Sequence, residues 1–100
     1  MSSIVVMSKS SGKLSTNTQV SSIKSGLCGI NAYNLNAAAQ VITIYDSIGA
    51  GSATNTLFEI ELPIGSTTPS FMVISFMQPI RAVNGLFVVT NSALVTINYL

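Results

Sequence analysis

Thr56-Leu-Phe-Glu-Ile-Glu-Leu62 alternates apolar and acidic side chains along most of its length. Successive side chains of a β-strand point to opposite faces. Phe58, Ile60 and Leu62 therefore share one face, whereas Glu59 and Glu61 share the other. We expect a strand with one face in a core and one face in water.

Other stretches of the chain show the same preference for strands. Ala93-Leu-Val-Thr-Ile-Asn-Tyr99 places its odd-numbered residues on one largely apolar face, and Gln40-Val-Ile-Thr-Ile-Tyr-Asp46 is rich in β-branched side chains. The segment 70–77 is almost wholly apolar, which predicts a strand covered on both faces, the outer one by a second sheet or by another subunit. No segment has the helical period of 3.6 residues, and 36–40 is long enough for only a single helical turn.

Turn-forming residues separate these strands and indicate the fold class. The loops 49–55 and 65–69 are rich in Gly, Ser and Thr, and Asn84-Gly85 between two apolar runs predicts a hairpin. Strands are predicted at 3–8, 18–25, 27–34, 40–46, 56–62, 70–77, 79–83, 86–90 and 93–99. About eight short antiparallel strands with turns every 8–12 residues are typical of an all-β, single-domain β-sandwich, and we expect a jelly-roll-like one.

The N-terminal quarter of the chain differs in composition from the remainder. Residues 9–19 are polar and of low complexity, which predicts a mobile loop. We therefore expect residues 1–25 to form a strand or arm followed by this loop, and residues 26–100 to form the β-sandwich core of a single domain.

The chain is unusually poor in charge. Only 7% of its 100 residues are charged and none is histidine, while 48% are apolar. A typical soluble domain carries roughly 25% charged residues, and mixed charge is what keeps small domains apart from their own copies. We therefore expect much of the surface to be covered by neighbouring molecules, in a homo-oligomer.

Composition also argues against several function classes. The formal net charge is +1 and the four cations are scattered, so we expect no nucleic-acid binding. Polar residues interrupt the longest apolar run, which argues against a membrane span, and the apolar stretch 4–7 is too short for a signal peptide. Cys28 is the single cysteine, so it has no internal disulfide partner, which fits synthesis in a reducing cytoplasm.

Catalytic and metal-binding patterns are weak. Ser10-Ser-Gly-Lys13 and Ser21-Ser-Ile-Lys24 match Ser-x-x-Lys, but neither lies in a predicted helix, which that chemistry requires. Asp46, Glu59 and Glu61 are the only acidic residues, and the two glutamates face outward, which favours a solvated or intersubunit edge over a glycosidase pair. We predict no enzymatic activity, no cofactor, no metal and no small-molecule substrate.

Several residues are candidates for contacts with other molecules. Cys28 lies between glycines and is expected in the core rather than as a reactive thiol. Met72 and Met77, with Phe71 and Phe76, either line an adaptable contact surface or pack in an ordinary core, and the sequence leaves both readings open. The candidate contact residues are Lys9, Lys13, Lys24, Phe71, Met72, Phe76, Met77 and Arg81.

Four stretches together resemble a known group of proteins. They are Gly26-Leu-Cys-Gly-Ile-Asn-Ala-Tyr-Asn34, Val41-Ile-Thr-Ile-Tyr-Asp-Ser47, Asn84-Gly-Leu-Phe-Val-Val89 and Ala93-Leu-Val-Thr-Ile-Asn-Tyr99. Over residues 26–99 the chain is similar to the small jelly-roll virion proteins of tailed bacteriophages. Members of that group are structural, as head decoration or cement proteins and as domains of head fibres, so the resemblance implies no catalytic residue.

The resemblance and the low charge lead to one expectation about function. The expected role is a capsid decoration protein that binds the major capsid protein on the outside of an icosahedral phage head as a homotrimer, after synthesis in the host cytoplasm. A tail, neck or head-fibre component is the alternative within the virion. A carbohydrate-binding module is less favoured because the chain has no Trp and only Tyr33, Tyr45 and Tyr99 as tyrosines.

Overall fold

A computed structural model describes residues 8–49, 55–65 and 68–100 of the chain. All regular secondary structure in these ranges consists of β-strands, which confirms the predicted all-β class. The strands are β1 (Lys9–Leu14), β2 (Thr18–Ser21), β3 (Ser25–Asn34), β4 (Gln40–Tyr45), β5 (Thr56–Leu62), β6 (Ser70–Ala82), β7 (Leu86–Val89) and β8 (Leu94–Tyr99). The predicted strand 3–8 and parts of both predicted loops lie outside the described residues.

The eight strands form two antiparallel sheets of four that pack against each other. The first sheet has the order β1-β8-β3-β6 and the second has the order β2-β7-β4-β5. Only β4 and β5 are consecutive strands of the same sheet; every other connection crosses from one sheet to the other. This is the double-sheet, Greek-key arrangement of a jelly roll, and the predicted β-sandwich is confirmed.

Alternating side chains from both sheets fill the space between them. On β8, Val95 and Ile97 are buried as the alternation predicts, and on β5 Leu62 is buried while Glu59 and Glu61 are exposed. The buried core consists of Leu27, Ile30, Ala32, Ile42, Ile44, Leu62, Ala82, Leu86, Val88, Ala93, Val95 and Ile97. Each large aliphatic side chain buried in this way stabilises the fold by about 1.5–3 kcal/mol.

The prediction of a mobile loop at 9–19 is wrong over its first half. Residues 9–14 form edge strand β1, which pairs with β8 from Lys9–Tyr99 to Leu14–Val95. A bulge interrupts the pairing, and there the Ser11 hydroxyl accepts a hydrogen bond from the backbone N–H of Ile97 at 2.8 Å. An edge strand that is held mainly by backbone pairing does not need an apolar face. The polar sequence of β1 therefore carries no alternating pattern that would predict a strand.

The strands predicted at 70–77 and 79–83 are one strand, β6, with an irregularity in its middle. Between the pairs Gly29–Ser75 and Leu27–Ile80, four residues of β6 lie opposite Cys28 alone. Pro79 falls in this irregular part, where its missing N–H breaks no regular pairing. Cys28, expected in the core, is only half-buried because it lies at this irregularity, and burial raises the pKa of its thiol.

The predicted hairpin at Asn84-Gly85 is also wrong. β6 belongs to the first sheet and β7 to the second, so this connection carries the chain across the sandwich. Gly85 lies so close to the backbone carbonyl of Ser21 that a Cβ atom would collide with it. The glycine is therefore required by close backbone packing rather than by a hairpin turn. Residues 36–38 form a bend and not a helical turn.

Candidate interaction surface

The outer face of the first sheet carries exposed apolar side chains on β3 and β6. Tyr33 lies opposite Phe71 in the strand register, and Val73 follows on the same face of β6. Their exposed fractions are 49% for Tyr33, 67% for Phe71 and 65% for Val73. The ring centroids of Tyr33 and Phe71 are 6.0 Å apart with an angle of 49° between the planes, so the two rings support each other. We call these three residues the apolar patch.

The apolar patch borders a shallow depression of about 280 Å³ on this face. Polar side chains at its side come from Asn31 on β3 and Thr96 on β8, which the register places next to each other. The lining residues are Asn31, Ala32, Tyr33, Phe71, Met72, Val73 and Thr96. A mixed apolar and hydrogen-bonding surface of this kind suits a protein partner or a sugar ring better than a charged ligand.

The same face carries cations near its margins. Lys13 on β1 is paired with Thr96, and the row continues through Asn31 to Val73 across the four strands. Three inter-strand spacings separate Lys13 from Val73, which is about 14 Å. Arg81 is exposed near the other end of β6, opposite Gly26.

The structure does not bring the predicted cationic contact residues together into one site. Lys9 and Lys13 are exposed on β1, Lys24 is exposed in the connection between β2 and β3, and Arg81 is exposed on β6. These positions are spread along the first sheet and one end of the sandwich. They contribute scattered positive charge rather than an anion-binding cluster.

The four apolar contact candidates on β6 divide between two environments. Phe71 and Met77 face outward, and Met77 is fully exposed at the irregular part of the strand. Met72 and Phe76 pack against the core, and Phe76 meets Phe58 of the second sheet edge-on at 5.2 Å between ring centroids. Ordinary core packing therefore accounts for Met72 and Phe76. Phe71 and Met77 are the two that remain candidates for a contact surface.

The outer face of the second sheet is acidic where the first is basic. Glu59 and Glu61 are exposed on edge strand β5, two residues apart and on the same face. Thr43 of the neighbouring strand donates a hydrogen bond from its hydroxyl to a carboxylate oxygen of Glu59 at 3.2 Å. The structure therefore places Lys13 and Arg81 on one face of the sandwich and Glu59 and Glu61 on the opposite face.

Asp46 has a structural role that the sequence did not reveal. Its carboxylate accepts hydrogen bonds from the backbone N–H groups of Val83 at 2.9 Å, Asn84 at 2.7 Å and Gly85 at 3.2 Å. Partial burial raises the pKa of Asp46, but these three hydrogen bonds outweigh that effect, so its pKa is below the usual value. The carboxylate ties the end of β4 to the crossover between β6 and β7.

Asn34 is a second polar side chain that joins separate segments. It is completely buried, and its amide nitrogen donates to the carbonyl oxygens of Ala38 at 3.0 Å and Pro63 at 2.8 Å. Its side-chain oxygen accepts from the backbone N–H of Asn36 at 2.9 Å. The group therefore holds the bend after β3 against the loop after β5.

Gln19 connects β2 to the neighbouring chain segments in a similar way. Its amide nitrogen donates to the carbonyl oxygens of Ser21 at 2.7 Å, Ser47 at 2.9 Å and Leu86 at 3.1 Å, and its amide oxygen accepts from Gly49 at 2.6 Å. No motif in the sequence marks Asp46, Asn34 or Gln19, because their partners are backbone groups brought close only by the fold.

The described residues form neither a metal centre nor a membrane-spanning helix. Within 8–49, 55–65 and 68–100, no three His, Cys, Asp or Glu side chains are grouped so as to hold a metal ion. The same part of the chain contains no helix of sufficient length and apolarity to cross a bilayer. In comparisons with known proteins, no family model, no curated protein and no solved structure matches this chain.

Proposed function

We propose that this chain is a structural virion protein that attaches as a homotrimer to the outside of an icosahedral phage head and binds the major capsid protein there. The observation that carries the proposal is the apolar patch, an exposed aromatic and aliphatic surface on a sandwich with very few charges. Exposed apolar surface of this kind marks protein contact sites on small domains. The resemblance of residues 26–99 to small jelly-roll virion proteins supplies the biological setting.

Oligomerisation strengthens such an attachment. A single small patch gives weak binding, whereas three linked copies bind a symmetric lattice at several points at once. The second and third contacts are then intramolecular, and their effective concentration raises the overall affinity without any new type of contact. A domain with little charge suits this role because its contacts depend on shape and apolar area more than on ion pairs.

Adsorption to phage heads that lack the protein tests the proposal. Purified protein is mixed with undecorated heads, and its binding is measured by co-sedimentation and located by electron microscopy. We expect saturable density on the outside of the head, and loss of binding in the variant Phe71→Ser/Val73→Ser. Ile23→Ser is the matched control, because Ile23 is 70% exposed but lies in the connection between β2 and β3, away from the patch.

Two outcomes would contradict this proposal. A protein that sediments as a monomer and does not adsorb to heads is not a decoration protein. Density at the neck, tail or head fibres, in a handful of copies per particle, would instead favour the alternative virion role.

A carbohydrate-binding module is the second candidate, and the aromatic pair favours it. Tyr33 and Phe71 present exposed rings beside Asn31 and Thr96, and rings next to hydrogen-bonding groups are common in sugar sites. A glycan array tests this function directly. Binding that is lost in Tyr33→Ala would support the module, whereas an array without signal would reject it.

A further inference from the structure

The distribution of charge restricts how copies of this chain can meet. All seven charged side chains lie in the described residues. Lys13 and Arg81 belong to the outer face of the first sheet, and Glu59 and Glu61 belong to the outer face of the second. Because the two faces point in opposite directions, these charges are not neutralised by each other within one copy.

Contacts between identical faces are disfavoured by this arrangement. A two-fold contact through the first sheet brings together surfaces whose outward charges are both positive. A two-fold contact through the second sheet brings Glu59 and Glu61 towards their own copies. Among contacts between sheet faces, only a head-to-tail contact, in which the first sheet of one copy meets the second sheet of the next, places opposite charges together.

Strand addition at the free edge of β6 is also disfavoured. The edge is interrupted where four residues oppose Cys28, and Pro79 in that part has no N–H to donate. Bulges and edge prolines are common means of blocking strand pairing between copies. The exposed apolar side chains of β6 are therefore available to a face contact rather than to an extended sheet.

We propose that copies of this chain associate head to tail, with the apolar patch of one copy packed on the outer face of the next copy's second sheet and Lys13 near Glu59 and Glu61. This inference rests on the self-association in the proposed function and names the two surfaces that produce it. A homotrimer formed in this way is a row of three copies and not a closed ring.

The spacing of strands in the two sheets fits this contact. In the first sheet, Tyr33 on β3 is two strands from Lys13 on β1. In the second sheet, Val89 on β7 is two strands from Glu59 on β5, in the same row through Thr43. Across the strands both separations are about 10 Å. The row of Lys13 reaches β3 at Asn31, and Tyr33 lies about 7 Å further along that strand. When Lys13 lies over Glu59 and the two rows are aligned, Asn31 lies over Val89 and Tyr33 lies beside it. The edge of the apolar patch then meets a half-buried apolar side chain of the partner.

The area of one face makes each contact between copies small. Four strands about 4.8 Å apart and six residues long give a face of about 19 by 20 Å, or roughly 400 Å². That is about half of the roughly 800 Å² that each partner buries in an interface of standard size. In a head-to-tail assembly each inner copy uses both faces, and because these faces point in opposite directions the copies form an open row. Association should therefore depend on protein concentration.

Charge reversal on each face, followed by mixing, tests the contact. Sedimentation velocity is measured over a concentration series for wild type, Lys13→Glu and Glu59→Lys. We expect each variant alone to associate about tenfold more weakly than wild type, because its contact opposes like charges. An equimolar mixture should regain association, because the carboxylate introduced at position 13 then faces the ammonium group introduced at position 59, while the native pair forms at alternate contacts. Lys24→Glu is the matched control with the same charge change outside both faces, and it should behave as wild type.

Each result decides the inference. It is overturned if wild type is monomeric at all concentrations, if either variant associates as wild type does, or if the mixture associates no better than its components. If the wild-type protein forms oligomers that adsorb to heads, but the substitutions do not weaken its self-association, this contact is wrong and the proposed function is unaffected. Head-to-tail association without adsorption to heads would confirm the contact and reject the proposed function. Recovery in the mixture also shows that both variants are folded.

Discussion

Replacement of Asp46 by alanine should destabilise the sandwich because the carboxylate holds the crossover that joins the two sheets. Three backbone N–H groups, those of Val83, Asn84 and Gly85, lose their acceptor at distances of 2.7–3.2 Å. A buried hydrogen bond to a charged group contributes about 1.5–3 kcal/mol. The Val83 and Asn84 bonds are solvent-exposed and water replaces part of their value, so we expect a total loss of about 2 kcal/mol. For a domain of this size that lowers Tm by about 8–16 °C.

Urea unfolding followed by circular dichroism measures this effect, with Glu59→Gln as the control. Glu59 is also a carboxylate on the second sheet, but it is exposed and the side chain of Thr43 is its hydrogen-bond donor, so its loss should change the free energy of unfolding by less than about 0.5 kcal/mol. An Asp46→Ala variant that is as stable as Glu59→Gln would refute the reasoning.

The pH dependence gives a second check on Asp46. Because its folded-state pKa is lowered, the stabilisation is fully present above the unfolded-state value of about 3.9 and is lost as the pH falls through the folded-state pKa. The difference in stability between wild type and Asp46→Asn should therefore shrink on acidification below about pH 4. A difference that stays constant or grows would show that the carboxylate charge is not what holds the crossover.

Three further substitutions test the buried polar contacts and a close backbone approach. Asn34→Asp turns a donor that faces three carbonyl oxygens into a carboxylate, so it should cost about 3 kcal/mol near pH 7 and less near pH 4, where the carboxyl is protonated. Equal urea midpoints at both pH values would contradict this. Gln19→Leu removes four hydrogen bonds, three of which join β2 to other segments, and should lower the free energy of unfolding by about 2–3 kcal/mol. Thr18→Val, which loses only an exposed bond, is the control. Gly65→Ala places a Cβ atom against the backbone of Asn34 and should reduce thermal stability far more than Gly12→Ala. The space beside Gly12 is open, and only its positive φ of 73° adds strain. Similar Tm values for the two variants would show that the backbone near Gly65 adapts freely.

The regular strands could be predicted because the burial of one face requires an apolar residue at every second position of their sequences. β5 and β8 each have one face in the core, so Leu62, Val95 and Ile97 alternate with polar residues in the sequence and in the structure. β1 escaped prediction for the converse reason. Its pairing with β8 uses backbone groups, which every residue carries, and its side chains other than Leu14 are not packed against the core.

The connections between strands could not be read from local sequence. Asn84-Gly85 has the composition of a hairpin turn, but the partner of the following strand β7 is β4, which is distant in the chain. The polar ties formed by Asp46, Gln19 and Asn34 depend on such distant neighbours in the same way. The candidate surface was only partly predicted. The sequence identified Phe71 and Met77 as contact candidates, but only the register placed Tyr33 beside Phe71.

The position of β8 has a consequence for the synthesis of this chain. The strand that comes last in sequence lies inside the first sheet, between β1 and β3. Until β8 has been synthesised, β1 and β3 have no strand between them. The first sheet can therefore be completed only after residue 99 has emerged from the ribosome. Pairings between such distant parts of a chain also form slowly. The nascent protein therefore keeps its apolar strands accessible for longer than a helical protein of equal length, and exposed strands of this kind are prone to aggregation during that interval.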